Sequence, residues 1–301
     1  MKQQPLYTRA AEHLMNPEIT AILPARNEAD GLREILPVLR HEYPNIEILV
    51  IDDGSTDGTI DVCRGHGIQV ISHPYPMGNG AAVKHGARVA RGKTLIFLDA
   101  DGQHTPADIQ RLLAKLDEGY DMVVGSRSKG SHAGLHRATA NGFYNRLASW
   151  MTGRRIPDLT SGFRAVRADK FRKFLYLLPN GFSYPTTITM SFFRAGYSVV
   201  YIPITAKPRI GKSHIRLFRD GFRFLLIIFK VGTLYSPLKL FVPISVVFFL
   251  LGLGHYLYTY LTAGRFTNMS ALLFATSVLV FLIGLVSEQL SALNYKDSER
   301  N

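Results

Sequence analysis

Asp99, Asp101 and Gln103 stand at alternate positions in the run TLIFLDADGQH, residues 94–104. Two carboxylates one residue apart suit a hard divalent cation, because carboxylate and amide oxygens can reach it from a single turn. Mg²⁺ or Mn²⁺ held this way usually shares its other positions with phosphate oxygens. D-x-D alone is a common pattern, and the same residues also suit a strand end and helix start. In that reading Thr105 or Asp101 caps and Pro106 takes the first helical position. Both readings hold together, and His104 is assigned to the turn rather than to a cation. The weight must come from what surrounds the turn.

The elements that would position these oxygens follow from hydrophobic patterning. Residues 95–98 (LIFL) form a continuous apolar run, as in a strand buried on both faces. Similar short strands are expected at 19–23, 47–51, 69–72 and 122–124. They alternate with helices at about 30–41, to about 66, to about 91 and 106–118. This alternation predicts a parallel, right-handed α/β sheet. Ligands in such sheets sit beyond the carboxyl ends of the strands. Four clusters fall there: PARNE at 24–28, Asp52-Asp53, residues 99–103, and Gly125-Ser126-Arg127. Their convergence is more specific than any one of them.

The pattern then changes. Residues 128–135 read as a loop rich in Gly, Ser and His. A helix at 141–151 is expected to place Phe143, Leu147, Trp150 and Met151 on one face, with Trp150 at a bilayer interface. DLTSGFR at 158–164 leads into a strand and a helix near 170–178. A further strand at 198–204 precedes the basic turn KPRIGKS at 207–213. Residues 214–235 set Arg216, Arg219 and Arg223 among Leu217, Phe218, Phe222 and Phe224, a pattern that lies flat on membrane surfaces.

Two apolar stretches, 240–260 and 271–293, each have the length needed to cross a bilayer. The linker at 262–270 carries only Arg265, whereas Lys230, Lys239, Lys296 and Arg300 lie on the other side. The positive-inside rule then predicts a multi-pass hairpin in the cytoplasmic membrane, with the α/β part and both termini cytoplasmic. The first residues contain no apolar core of signal-peptide length. The net charge of +12 and pI near 9.8 suit an anionic lipid or a phosphorylated substrate, since the basic residues cluster beside the apolar tail. For the same reason no nucleic-acid partner is expected. The single cysteine, Cys63, excludes an intramolecular disulfide framework or a multi-cysteine zinc site. Expected boundaries are an N-terminal extension at 1–17, an α/β domain at 18–212, an interface helix at 213–236, the hairpin at 237–295 and a tail at 296–301.

PARNE, DDGST, NG-AAVKHG, FLDADGQH, VGSR, DLTSGFRA and RIGKS, in this order before an apolar hairpin, resemble glycosyltransferase family 2. Within it they look like the polyprenyl-phosphate glycosyltransferases, the group that includes dolichol-phosphate mannose synthase. The resemblance implies a GT-A (Rossmann-like) catalytic domain with amphipathic interface helices and a C-terminal two-helix transmembrane hairpin. It also implies a nucleotide-sugar donor, UDP- or GDP-linked, and a polyprenyl phosphate acceptor such as undecaprenyl phosphate. By position, Pro24, Arg26 and Glu28 would surround the base and ribose, and Asp52 or Asp53 would hydrogen-bond one of them. Asp99, Asp101 and Gln103 would hold Mg²⁺ or Mn²⁺ on the diphosphate. Arg127 and Arg137 would hold the acceptor phosphate, Arg209 and Lys212 would close over the donor, and Asp158 would orient the acceptor or a sugar hydroxyl.

A phosphate monoester is mostly dianionic at neutral pH, so such an acceptor has little need of a general base. Direct displacement would invert the anomeric carbon. Two rivals are weighed against this. A processive polysaccharide synthase would carry a Q-x-x-R-W element, but the only tryptophan, Trp150, follows Ser149. A non-catalytic membrane adaptor with the same fold should have lost a metal carboxylate or a phosphate-binding base, and none is missing. A homo-oligomer stays open.

Overall fold

A computed structural model describes residues 17–127, 135–181, 183–205, 229, 232, 233 and 235–300; for 135–141 and 294–300 only the helical backbone is described. The chain divides into two units, residues 1–224 and 225–301.

In the first unit the described strands form one seven-stranded sheet in the order β3-β2-β1-β4-β6-β5-β7. The strands are β1 (Ile19–Ala25), β2 (Glu47–Asp52), β3 (Gln69–Ser72), β4 (Thr94–Phe97), β5 (Met122–Arg127), β6 (Arg164–Arg167) and β7 (Val199–Ile204). The helices between them are α1 (Ala29–Glu42), α2 (Thr59–Gly65), α3 (Asn79–Val89), α4 (Ala107–Asp117), α5 (Leu135–Thr152), α6 (Ala168–Arg172) and α7 (Tyr184–Arg194). Ile22, Leu23, Val50, Ile51, Ile96, Phe97, Val123 and Val124 are buried, so the central strands are covered on both faces as their unbroken apolar runs require. Cys63 packs within α2 as a buried apolar side chain, and burial with the nearby Asp52 charge pushes its thiol up to about 11.

The sheet is mixed rather than wholly parallel. β6 runs antiparallel to β4 and to β5, its two neighbours. Its placement has a consequence for the site. β1, β2, β4 and β5 all end at one edge of the sheet, and an antiparallel β6 must begin at that edge. Residues 158–163, which lead into β6, therefore arrive beside the strand ends. The helix expected near 170–178 is only Ala168–Arg172, followed by turns. The expected single face of α5 is split: Tyr144, Ala148 and Met151 are buried, while Phe143 and Trp150 are exposed. The basic turn at 207–213 lies outside the described residues, as does the amphipathic stretch at 214–235 apart from residues 229, 232, 233 and 235.

The second unit contains α8 (Pro237–Ala263) and α9 (Asn268–Arg300). The first helix ends at Gly264, whose φ of +62° permits the left-handed cap. Small residues let the two backbones approach: a Cβ on Gly284 would stand 2.7 Å from Phe241 Cβ. Ser245 and Ser277 each donate to the other's carbonyl oxygen at 2.9 Å. Leu238 N donates to Glu288 Oε2 at 3.3 Å, setting a carboxylate against the start of α8. Large apolar side chains, among them Leu250, Leu257, Leu279 and Val286, point outward and are exposed. Two helices of this length and composition, Pro237–Ala263 and Asn268–Leu293, are long enough to cross a membrane.

Candidate active site

The loops at the strand ends are bound to one another before any ligand is considered. After β1 the chain turns at Asn27, held at φ +55°. Asn27 N donates to Ser55 Oγ at 2.9 Å and its Oδ1 accepts from Thr56 N at 2.8 Å. Glu28 N donates to Thr59 Oγ1 at 3.1 Å and Ala29 N to Asp57 Oδ2 at 3.2 Å. PARNE and DDGSTDGT thus form one stitched surface. Asn27, Ser55 and Thr59 have no singled-out role in the sequence reading, and Thr56 or Asp57 is expected there only to cap the next helix; Asp57 Oδ1 accepts from Thr59 N at 3.0 Å. On this surface Pro24 is the penultimate residue of β1, Arg26 is exposed and Glu28 immediately precedes α1.

The two adjacent carboxylates have different work. Asp53 Oδ1 accepts from His73 Nδ1 at 2.8 Å and from Met77 N at 2.7 Å, and Oδ2 accepts from Gly78 N at 2.8 Å. Burial alone would raise its pKa, but those three bonds outweigh it and hold the carboxyl below the usual range. Asp53 therefore clamps the 73–78 loop. His73 in turn meets His85 Nδ1 on α3 at 3.0 Å, with the rings stacked. Asp52, the last residue of β2, accepts Ser55 N on Oδ1 at 3.1 Å.

Asp99, Asp101 and Gln103 follow β4 on one turn, where Gly102 takes φ +73°. Gln103 N donates to Asp101 Oδ1 at 3.2 Å. His104 is buried against this turn: its Nε2 lies 3.3 Å from Asp99 Oδ2 and its ring stacks on Phe163 at 4.8 Å. His104 Nδ1 is buried and has no hydrogen-bond partner among the described residues. An orphan lone pair is cheaper than an orphan N–H, so a proton on Nε2, donated to Asp99, suits this setting. Gly162 approaches the same carboxylate from another side, since a Cβ there would sit 3.0 Å from both Asp99 oxygens.

Arg127, the last residue of β5, reaches Asp158 with two bonds, Nε to Oδ2 at 2.8 Å and Nη2 to Oδ1 at 3.1 Å. The same Nη2 also donates to Thr160 Oγ1 at 2.8 Å. Burial raises the pKa of Asp158, but the Arg127 bonds and charge, with Thr160, bring it below the ordinary value. Burial lowers that of Arg127, and the Asp158 bond with the charges of Asp158, Asp99 and Asp101 reverses this. The segment 158–163 is also held from behind. Wholly buried Arg164 donates to Ser161 O, to Thr189 Oγ1 at 3.4 Å and to Pro185 O at 3.4 Å. Ser161 Oγ donates to Gly125 O at 2.6 Å.

The structure thus gathers Pro24, Arg26, Glu28, Asp52, Asp53, Asp99, Asp101, Gln103, Arg127 and Asp158 along one sheet edge. Arg137 lies in α5 by its backbone, and Arg209 and Lys212 lie outside the described residues. Among the described residues no group of three or more His, Cys, Asp and Glu side chains forms a cation cage. Two carboxylates and an amide on one turn still fit a hard cation that keeps positions for phosphate and water oxygens.

Residues 20–175 match the model of glycosyl transferase family 2, and residues 236–293 match the GtrB C-terminal hairpin. Glycosyltransferase AglJ of Haloferax volcanii is 29% identical over 94% of this chain and 97% of its own. The undecaprenyl-phosphate mannosyltransferase of Micrococcus luteus is 31% identical, covering 65% of this chain and 86% of its own. Among solved structures, glucosyl-3-phosphoglycerate synthase of Mycobacterium tuberculosis, in complex with Mn²⁺, UDP and phosphoglyceric acid, superposes with a TM-score of 0.60. It is 17% identical over 77% of this chain and 84% of that one, which is a likeness of fold.

Proposed function

The chain belongs to glycosyl transferase family 2, and from that premise we propose that it moves a sugar from a nucleotide diphosphate onto a polyprenyl phosphate at the cytoplasmic face of a membrane. Relatives named for undecaprenyl-phosphate and polyprenol acceptors support the acceptor class. The hairpin match and the two long apolar helices support a membrane site.

The reading rests on the Arg127–Asp158 pair beside the acidic turn. Asp158 is ionised and bound through both oxygens to a guanidinium, so it is a positioning residue rather than a proton acceptor. A sugar hydroxyl acceptor would need a free base at this point. A lipid phosphate arrives already anionic and needs only a cationic seat and alignment. Arg127, fixed by Asp158 and Thr160, supplies that seat, and Arg137 is assigned to share it by the family resemblance. Asp99, Asp101 and Gln103 would hold Mg²⁺ or Mn²⁺, and the cation would supply charge neutralisation at the departing diphosphate. Arg209 and Lys212 add positive charge on the same leaving group. Asp52 receives the base or ribose, since the oxygens of Asp53 are occupied by the 73–78 loop. Pro24, Arg26 and Glu28 form the adjoining wall. Attack from the face opposite the diphosphate inverts the anomeric carbon.

The test is purified protein with a panel of labelled UDP- and GDP-sugars, Mg²⁺ or Mn²⁺, and undecaprenyl phosphate. A lipid-extractable labelled product from one donor is expected, together with its loss in EDTA. Absence of product from every donor would overturn the acceptor assignment.

A further inference from the structure

Arg164 opens β6 and, among the described residues, is the largest side chain wholly out of water. A guanidinium stays charged at any ordinary pH, so burying it forfeits strong hydration. The acceptors it meets instead are neutral. Nη2 donates to Ser161 O, and Nη1 to Pro185 O and Thr189 Oγ1, each at 3.4 Å, and to Met122 Sδ at 3.8 Å. The Tyr184 ring lies 5.8 Å from the guanidinium carbon. Bonds this long offset little of the loss, and an apolar side chain would fill the space without it. Burial pushes the guanidinium pKa down, while Tyr184, Tyr201, Asp158 and Asp99 pull it partly back. Two of those four are carboxylates of the candidate site, and register explains why they are near. Arg164 pairs with Phe97 on β4 and with Val124 on β5. It therefore lies between the strand that leads to the acidic turn and the strand that ends in Arg127. The residues just before it touch both: Thr160 accepts from Arg127, Ser161 from Arg164, and Gly162 presses on Asp99.

We propose that Arg164 is a positioning residue whose buried charge sets the balance of the site. It loosens the hold of the acidic turn on a divalent cation and strengthens the hold of the same region on phosphate. The inference rests on the reading of the acidic turn as a cation seat and of Arg127 as a phosphate seat. Hydrogen bonding alone does not call for a cation at this position, since carbonyl and hydroxyl oxygens accept equally from a neutral donor. Charge acts over a longer range, and inside the fold it is screened far less than at the surface. A positive charge behind Asp99 and Asp158 subtracts from the negative field that attracts Mg²⁺ or Mn²⁺. It adds to the positive field that Arg127 presents to an anion. The site is thereby tuned to reactants that carry phosphate rather than to the bare cation.

The test titrates the full chain in detergent micelles by calorimetry, with Mn²⁺ alone and, separately, with undecaprenyl phosphate. Arg164→Met removes the charge and keeps an unbranched side chain. It is expected to bind Mn²⁺ roughly three- to tenfold more tightly and undecaprenyl phosphate weaker by a similar factor. Arg164→Lys restores the charge without the planar fork and should return both affinities towards those of the parent. A purely structural role predicts the opposite sign for the cation, because a disordered turn binds Mn²⁺ less well in both variants. Should Arg164→Met fail to fold by circular dichroism, Met122→Glu decides. Met122 Sδ already meets the guanidinium, so a carboxylate there would neutralise the charge in place and reproduce the tighter Mn²⁺ binding. Mn²⁺ affinity unchanged or lowered in a folded variant without the net charge overturns the proposal, as does lowered affinity in Arg164→Lys. Tighter Mn²⁺ binding in Arg164→Met, from a parent that makes no lipid-linked sugar, defeats the transfer reading alone. A parent chain that binds no Mn²⁺ defeats the cation reading and this proposal together.

Discussion

At the residue scale the proposed reaction turns on Asp158 and Arg127, each of which is held by the other. Asp158 has a native pKa below its unfolded value of about 3.9. Its stabilising contribution is therefore complete above that value and is lost as pH falls through the lower native one. Asp53 behaves the same way. Acid unfolding should accordingly steepen below about pH 4, and Asp158→Asn should flatten that limb when followed by circular dichroism. The same variant leaves Arg127 without its anion and should cost about 3 kcal/mol or less, because Arg127 keeps some solvent contact. Asp101→Ala should lower turnover at least 100-fold, about 2.7 kcal/mol of barrier, with an unchanged melting temperature. His104 was assigned to the turn from its place in DADGQH, but in the fold it also grips Asp99. That contact depends on Phe163, 59 residues further along the chain, and local spacing carries no trace of such a neighbour. His104→Phe should preserve the stack, remove the hydrogen bond and weaken Mn²⁺ binding about 10- to 100-fold by calorimetry. Unaltered Mn²⁺ affinity would reduce His104 to packing.

Elements matter here through the edge at which they begin and end. Short apolar runs announced β1, β2, β4 and β5, and the four clusters at their ends do share one edge. The direction of β6 was not readable, because the four residues Arg164–Arg167 pattern alike whether the strand runs up or down. Its neighbours decide the direction, and they are distant in sequence. The split between Asp52 and Asp53 was hidden for a related reason. Successive side chains at a strand end face opposite ways, and which way meets the 73–78 loop depends on tertiary packing. The fit between α1 and the acidic turn gives an element-scale test. A Cβ on Gly31 would lie 2.2 Å from Ala100 O and 3.1 Å from Asp101 backbone atoms. Neither is a flexible side chain, so Gly31→Ala must move the helix or the turn. It should cost about 1–3 kcal/mol in denaturant unfolding and reduce turnover more than donor binding. A variant as stable and active as the parent would mean that the turn tolerates displacement.

At the scale of the whole molecule the open question is which way the hairpin faces, and the chain contains its own control for asking it. Lys239 at one helix start and Lys296 and Arg300 at the other helix end outnumber Arg265 in the connecting turn. By the positive-inside rule this bias predicts the connecting turn on the far side of the membrane and a cytoplasmic donor site, the orientation proposed above. Thiol labelling from one side can test this, because the native Cys63 is buried and its thiol is pushed up to about 11, leaving almost no reactive thiolate at neutral pH. Arg265→Cys in intact cells should react with a membrane-impermeant maleimide, and Ser298→Cys should react only after the cells are opened. Arg265→Cys also removes the one charge on the turn and strengthens the bias, so it should not invert the topology. Labelling of Ser298→Cys in sealed cells would put the donor site on the side that holds no nucleotide-sugar. The transfer reaction would then have to be abandoned even if the acidic turn bound its cation.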